Sequence, residues 1–252
     1  MKRYVALGSS MAAGPGIRPP APGAPRAAGR SARNYPHLVA DTLGLDLCDV
    51  TFSGATTAHL LSERQRGVPP QIETLNGSEA LVTITIGGND VGYVPLLMAA
   101  ALPGPLRRLP AVAELLDPGR REQALGEVES ALRAVGAAVR SRSPHARVVF
   151  IDYLTLLPPA GQRAGRLPDD AVDLARHVAD GLERYTAKAA AATGCDLVRA
   201  GQASRAHHPW SARPWTVGAG LPLPWRPWPF HPNAAGMAAV AGLVAASCGG
   251  QA

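Results

Sequence analysis

An α/β fold, with a parallel sheet and helices on both faces, is what the sequence predicts. Two observations carry this: short apolar, partly β-branched runs alternate with longer helical patterns, and the runs break at glycine and small residues. The first strand is expected over residues 3–8, where Tyr4, Val5, Ala6 and Leu7 form an unbroken apolar run before Gly8-Ser9-Ser10. A second, over 46–52, has the same form and runs into Ser53-Gly54-Ala55. The third, over 80–86, is the β-branched run Ala80-Leu81-Val82-Thr83-Ile84-Thr85-Ile86, stopped by Gly87-Gly88-Asn89-Asp90. Residues 146–152 and 195–199 complete five strands, and helical patterns lie over 36–43, 122–142, 170–193 and 234–247.

The 252 residues are expected to form one domain, 1–252, long enough to bury about three-quarters of the unfolded surface. No fixed-period repeat is visible. Three irregular stretches read as loops: residues 13–33, rich in Gly, Pro, Ala and Arg; residues 91–118, with Tyr93, Leu96, Leu97, Met98, Leu102, Leu106 and Leu109 among prolines; and residues 203–230, which hold Trp210, Trp215, Trp225 and Trp228. Loops of that length in a compact domain are usually functional. The tryptophans suggest either an apolar wall for an acyl or aryl group or a small core for the loop itself.

A formal charge of +6 and an isoelectric point near 9.7 raise the question of nucleic acid, but the arginines are dispersed and no aromatic RNA-binding signature accompanies them, so no nucleic-acid partner is expected. Cys48, Cys195 and Cys248 match no zinc spacing, and neither a metal nor a cofactor is expected. The apolar run after Met1-Lys2-Arg3 stops too early for a signal peptide, and no stretch of about 20 apolar residues could span a membrane. A cytoplasmic protein is the resulting expectation, with a monomer as the default oligomeric state.

Four segments bear on chemistry: Gly8-Ser9-Ser10 after the first strand, Ser53-Gly54 after the second, Gly87-Gly88-Asn89-Asp90 after the third, and Pro229-Phe230-His231-Pro232-Asn233 before the last helix. Each alone is an ordinary turn. In this order and spacing they resemble the SGNH hydrolases, the GDSL-like lipase/esterase superfamily, over essentially the whole chain. The resemblance implies a flavodoxin-like three-layer α/β/α sandwich around a five-stranded, mainly parallel sheet. It also implies Ser10 as nucleophile, Gly54 and Asn89 as oxyanion donors and His231 as base. The chain departs from the family pattern twice: Ser9 stands where an Asp is usual, leaving a rival serine, and Trp228 stands where the Asp that supports the histidine is usual. No Asp or Glu follows Asp196 at all.

These residue types belong together for a chemical reason. A serine hydroxyl attacks an ester only when a base takes its proton, and imidazole, with a reference pKa of about 6.5, suits that task near neutrality. The negative charge of the tetrahedral intermediate then needs donors, for which a glycine N–H and an asparagine amide are apt. With no aspartate, the backbone carbonyl of Trp228 is expected to accept from Nδ1 of His231. The expected function is ester hydrolysis on a small-molecule ester with an apolar acyl or aryl group. Acyl transfer to an alcohol through the same acyl-enzyme, and a catalytically silent binding protein of this fold, are the alternatives.

Overall fold

The computed structural model of the chain describes residues 1–223 and 225–249. Strands β1 (Arg3–Gly8), β2 (Asp46–Asp49), β3 (Glu79–Thr85), β4 (Arg147–Ile151) and β5 (Asp196–Val198) form one sheet in the order β2-β1-β3-β4-β5, with every neighbouring pair parallel. The chain moves from β1 to β2 on one side, then crosses back to β3 on the other. Winding therefore reverses between β1 and β3, and in such sheets the reversal opens a ligand crevice at the carboxyl ends of the strands.

Period-two alternation divides the strand residues between two apolar layers. Val5, Leu7, Val82, Ile84, Val148 and Phe150 face one layer; Tyr4, Ala6, Leu81, Val149 and Ile151 face the other. Among the helices are α1 (Ser10–Ala13), α2 (Tyr35–Leu43), α3 (Thr57–Leu61), α4 (Tyr93–Ala100), α5 (Pro118–Arg142), α6 (Asp169–Ala192) and α7 (Ala234–Gly249); further helical segments of three or four residues lie between some of them. The first layer is closed by Leu125, Val128, Leu132 and Val135 of α5 and by Val178 and Leu182 of α6. Val39 of α2 and Met237, Val240 and Val244 of α7 close the second. Full burial of a Val, Leu or Phe side chain contributes about 1.5–3 kcal/mol, so both layers are held mainly by these faces.

Element ends follow local chemistry. The Asn34 side chain accepts the His37 N–H at 3.1 Å and Pro36 occupies the first turn of α2, which ends at Gly44 with a φ of 62°. Asp117 accepts the Arg120 N–H at 2.7 Å, which starts α5 at Pro118, four residues before the expected 122. The second strand ends at Asp49 rather than 52; the Asp49 carboxylate takes the N–H of Thr51 at 2.9 Å, while Val50 N–H to Ala6 O at 3.1 Å and Phe52 N–H to Gly8 O at 3.0 Å keep the following residues beside β1. Residues 91–118, expected to be irregular, contain α4. Its Tyr93, Leu96, Leu97, Ala99 and Ala100 are all buried, and with so little polar face the helix carries no amphipathic period to read. Among the described residues no helix is long and apolar enough to cross a membrane. Cys48, Cys195 and Cys248 are unpaired and partly buried.

Candidate active site

Ser10 stands at the carboxyl end of β1, beside the reversal point, as the first residue of α1. The strand end is tightly held: the Gln71 side chain accepts the Gly8 N–H at 2.8 Å and donates to the Gly8 carbonyl at 3.0 Å, while the Ser9 N–H reaches Thr85 O of β3 at 3.0 Å. Gly8 has a φ of 152°, and a Cβ there would sit 2.6 Å from Thr85 O, so only glycine lets the two strand ends approach this closely. Alternation sends the two serines in different directions. Ser9 is 1% exposed, with its hydroxyl 3.3 Å from the Tyr153 hydroxyl, whereas the Ser10 hydroxyl meets the imidazole of His231.

The histidine is delivered by a turn across residues 228–231. Its N–H donates to Trp228 O at 3.2 Å, Pro229 fills the second position, and Phe230 takes a positive φ of 56° in the third, the arrangement of a type II turn. A positive φ at a bulky residue is unfavourable by about 1–3 kcal/mol. Here it is held by complete burial of Phe230 and by two bonds to Val217, Phe230 N–H to its carbonyl and Val217 N–H to His231 O, each 3.0 Å.

In this turn Nδ1 of His231 lies 2.8 Å from the Pro229 carbonyl, and Nε2 lies 2.8 Å from the Ser10 hydroxyl oxygen. The expected acceptor was the Trp228 carbonyl, and the geometry corrects it to Pro229. Trp228 O is already engaged by the His231 N–H that closes the turn, and a type II turn flips its central peptide, which presents the Pro229 carbonyl to the ring. A carbonyl can only accept, so the proton resides on Nδ1 and Nε2 is left as the acceptor for the serine hydroxyl. Burial pushes the His231 pKa down to about 4, while the bond to Pro229 O acts in the opposite direction.

Gly54 and Asn89 are brought together by the loops after β2 and β3. Asn89 Nδ2 donates to Ala55 O at 2.8 Å, and Asp90 accepts the Thr57 N–H at 3.0 Å, so the two loops are stitched side by side. One Asn89 N–H is used in this tie, and the second has no acceptor among the described residues. The Gly54 loop is tied to β1 through Phe52 N–H to Gly8 O at 3.0 Å, and Gly54 has a φ of 81°, natural only for glycine. Among the described residues neither the Gly54 nor the Ser10 N–H donates to an acceptor in the chain.

The GDSL-like Lipase/Acylhydrolase family matches residues 6–239. The chain belongs to this family. Lipase 2 of Streptomyces coelicolor is 33% identical to it over 246 residues, covering 92% of this chain and 81% of the relative. The crystal structure of the extracellular lipase from Streptomyces rimosus superimposes with a TM-score of 0.81 at 27% identity, covering 98% of this chain and 99% of that one. That of phospholipase A1 from Streptomyces albidoflavus gives 0.77 at 26% identity and 98% coverage of both chains. The GDSL-like hydrolase is accordingly a carboxylic ester hydrolase with the expected parallel α/β architecture. The extracellular description of the Streptomyces rimosus lipase runs against the cytoplasmic location expected from the sequence.

Three features of this GDSL-like hydrolase escaped the sequence reading. Gln71 had no motif to announce it. Tyr153, whose hydroxyl accepts the Gly88 N–H at 2.8 Å, lies against the one residue, Gly88, where a Cβ would fall 2.5 Å from its ring. Asp152, 2% exposed, accepts the Gly201 N–H at 2.7 Å through one oxygen while the other has no partner among the described residues; burial raises its pKa to about 7. The tryptophans do not form one wall. Trp215 stacks on His207 with ring centroids 4.0 Å apart, Trp225 is 60% exposed, and Trp228 alone stands edge-on to His231, at 5.9 Å. Leu102, Leu106 and Leu109 are exposed.

Proposed function

We propose that this GDSL-like hydrolase, acting as a single domain, cleaves carboxylic esters through an acyl-enzyme on Ser10, with a Ser-His dyad in place of a triad. The observation that carries the reading is the 2.8 Å contact of Ser10 Oγ with a His231 Nε2 whose tautomer is set by a backbone carbonyl. His231 takes the Ser10 proton as the oxygen attacks the ester carbonyl. The charge that forms on the former carbonyl oxygen is met by the N–H groups of Gly54 and Ser10 and by the free Asn89 N–H. His231 then returns the proton to the leaving alcohol, and water repeats the sequence on the acyl-enzyme. Pro229 O does one of the two tasks usual for an aspartate, fixing the tautomer; it leaves the imidazolium without a counter-charge. The names of the relatives, two lipases and a phospholipase A1, support an ester with an apolar acyl group as substrate.

The direct test is pre-steady-state release of 4-nitrophenol from 4-nitrophenyl acetate. A burst stoichiometric with enzyme, together with an acetyl mass increment on the peptide carrying Ser10, is the expected result. A protein that neither bursts nor acquires the adduct is a silent member of the fold.

Asn89→Ala should lower kcat by about 100-fold or more with a much smaller change in KM, because the lost donor acts on charge that exists only in the transition state. The variant also cuts the tie to Ala55 O, which adds to the loss by loosening Gly54. A change confined to KM would make Asn89 a substrate-binding residue and not an oxyanion donor.

A further inference from the structure

A groove of about 370 Å³ opens between residues 15–30 and Trp228. Its lining relates it to the reaction centre in two places. Trp228, one wall of the groove, stands edge-on to the His231 ring, and its N–H is bonded to Pro15 O at 3.2 Å. Gly29, which also borders Pro15, packs on Ser53, whose N–H and hydroxyl both donate to Ala28 O, at 3.0 and 2.8 Å, placing the groove beside the loop that carries Gly54. The lining is of two kinds: apolar surface from residues such as Ile17, Pro25 and Trp228, and the three arginines Arg18, Arg26 and Arg30. No acidic residue lines it.

The arginines differ in what they are free to do. Arg30 is occupied structurally, donating to the backbone carbonyls of Thr51 and Asp49. Arg18 and Arg26 are exposed, and neither is paired with a carboxylate among the described residues. Two unpaired guanidinium groups over an apolar floor, with no opposing charge, form a site for an anionic oxygen group attached to an apolar or compact body. Resting on the serine-hydrolase reading above, we propose that this groove binds an anionic group on the alcohol half of the ester, with Arg18 and Arg26 as specificity-determining residues. The alcohol half is assigned because Trp228, which lines the groove, stands edge-on to His231, the residue that protonates the leaving alcohol.

The test uses two matched pairs of soluble esters at low ionic strength. In the first, 1-butanoylglycerol is compared with 1-butanoylglycerol 3-phosphate, which places the charge on the alcohol half. In the second, 4-nitrophenyl butyrate is compared with 4-nitrophenyl hemisuccinate, which places it on the acyl half. Wild type should favour the phosphate ester over its neutral partner by about five- to ten-fold in kcat/KM, with no such preference in the second pair. The preference should shrink in 0.5 M salt. The double variant Arg18→Ala/Arg26→Ala should lose it while keeping neutral-ester kcat/KM within about two-fold, and Arg18→Glu/Arg26→Glu should reverse it. Equal rates on the phosphate pair, a preference unchanged in the arginine variants, or a preference confined to the hemisuccinate overturns the proposal and leaves the hydrolase reading standing. A wild type inactive on all four esters overturns both. If the double variants fail to fold, the single variants Arg18→Gln and Arg26→Gln carry the same test, each expected to reduce the preference for the phosphate ester, and a preference unchanged in both overturns the proposal.

Discussion

Ser10→Ala is expected to abolish covalent labelling by a fluorophosphonate and to reduce ester turnover by at least about 1,000-fold, since loss of the nucleophile in serine hydrolases leaves only the rate supplied by binding and oxyanion donors. Ser9→Ala is the informative companion. Ser9 is 1% exposed, and its hydroxyl lies 3.3 Å from that of Tyr153, whereas His231 Nε2 meets Ser10. Ser9→Ala should therefore remain fully labelled, with the lost contact to Tyr153 showing in stability and not in labelling. The measurement is active-site titration of both variants alongside circular dichroism to verify folding. Labelling that persists in Ser10→Ala and vanishes in Ser9→Ala would transfer the nucleophile to Ser9 and contradict the contact on which the mechanism is built.

His231→Ala should be as inactive as Ser10→Ala, and the two losses should not add, because the residues act as one unit. The acidic residues give the contrast. Asp90 is engaged with the Thr57 N–H and Asp196 with Arg147 at 2.6 Å, so Asp90→Asn and Asp196→Asn should retain most activity. Asp152 is the stringent control, since it shares a small buried space with Met11 and Pro232, the neighbours of Ser10 and His231 in the chain. Asp152→Asn keeps an acceptor for the Gly201 N–H and should also remain active. Any single acidic variant as dead as His231→Ala would replace the dyad with a triad.

The same residue sets the acid limb of the pH profile. The active form of His231 is neutral, and burial lowers its pKa from 6.5 to about 4. The neutral fraction therefore stays near one as pH falls from 8 to about 5 and drops only near 4, so log kcat/KM should be level across that range. Stability has the same sign: an imidazole with a depressed pKa stabilises the fold above its unfolded value of about 6.5, and this is lost as pH falls through its folded value. A kcat/KM limb with a midpoint at 6.5 or above would show a base that is solvated or paired with a carboxylate.

Much of the architecture is legible in the sequence, because its signals are local. Tyr4 to Leu7 and Leu81 to Ile84 are apolar on both faces, which only a strand covered on both sides requires, and the strand–helix alternation leaves few ways to wind the sheet. Helix α4 was missed for a related reason: buried nearly all round, it has no polar face from which a period could be recognised. Asn34 and Asp117, whose side chains cap helices, were legible as residue types, but which N–H each would accept was not.

The site divides along the same line. Sequence alone determined the inventory: two serines after β1, glycine and asparagine after β2 and β3, His231 three residues before α7, and no Asp or Glu downstream of Asp196. Tertiary structure decided their relations. Which serine faces the imidazole depends on strand register. That Gly54 and Asn89 lie together depends on a bond to Ala55 O from a residue 34 positions away. The acceptor for Nδ1 is Pro229 and not Trp228 because the turn borrows the Trp228 carbonyl for its own closure and is locked by Val217 and the buried Phe230 ring. A carbonyl's direction is a property of backbone torsions set by packing, and residue identity at that carbonyl carries no mark of it.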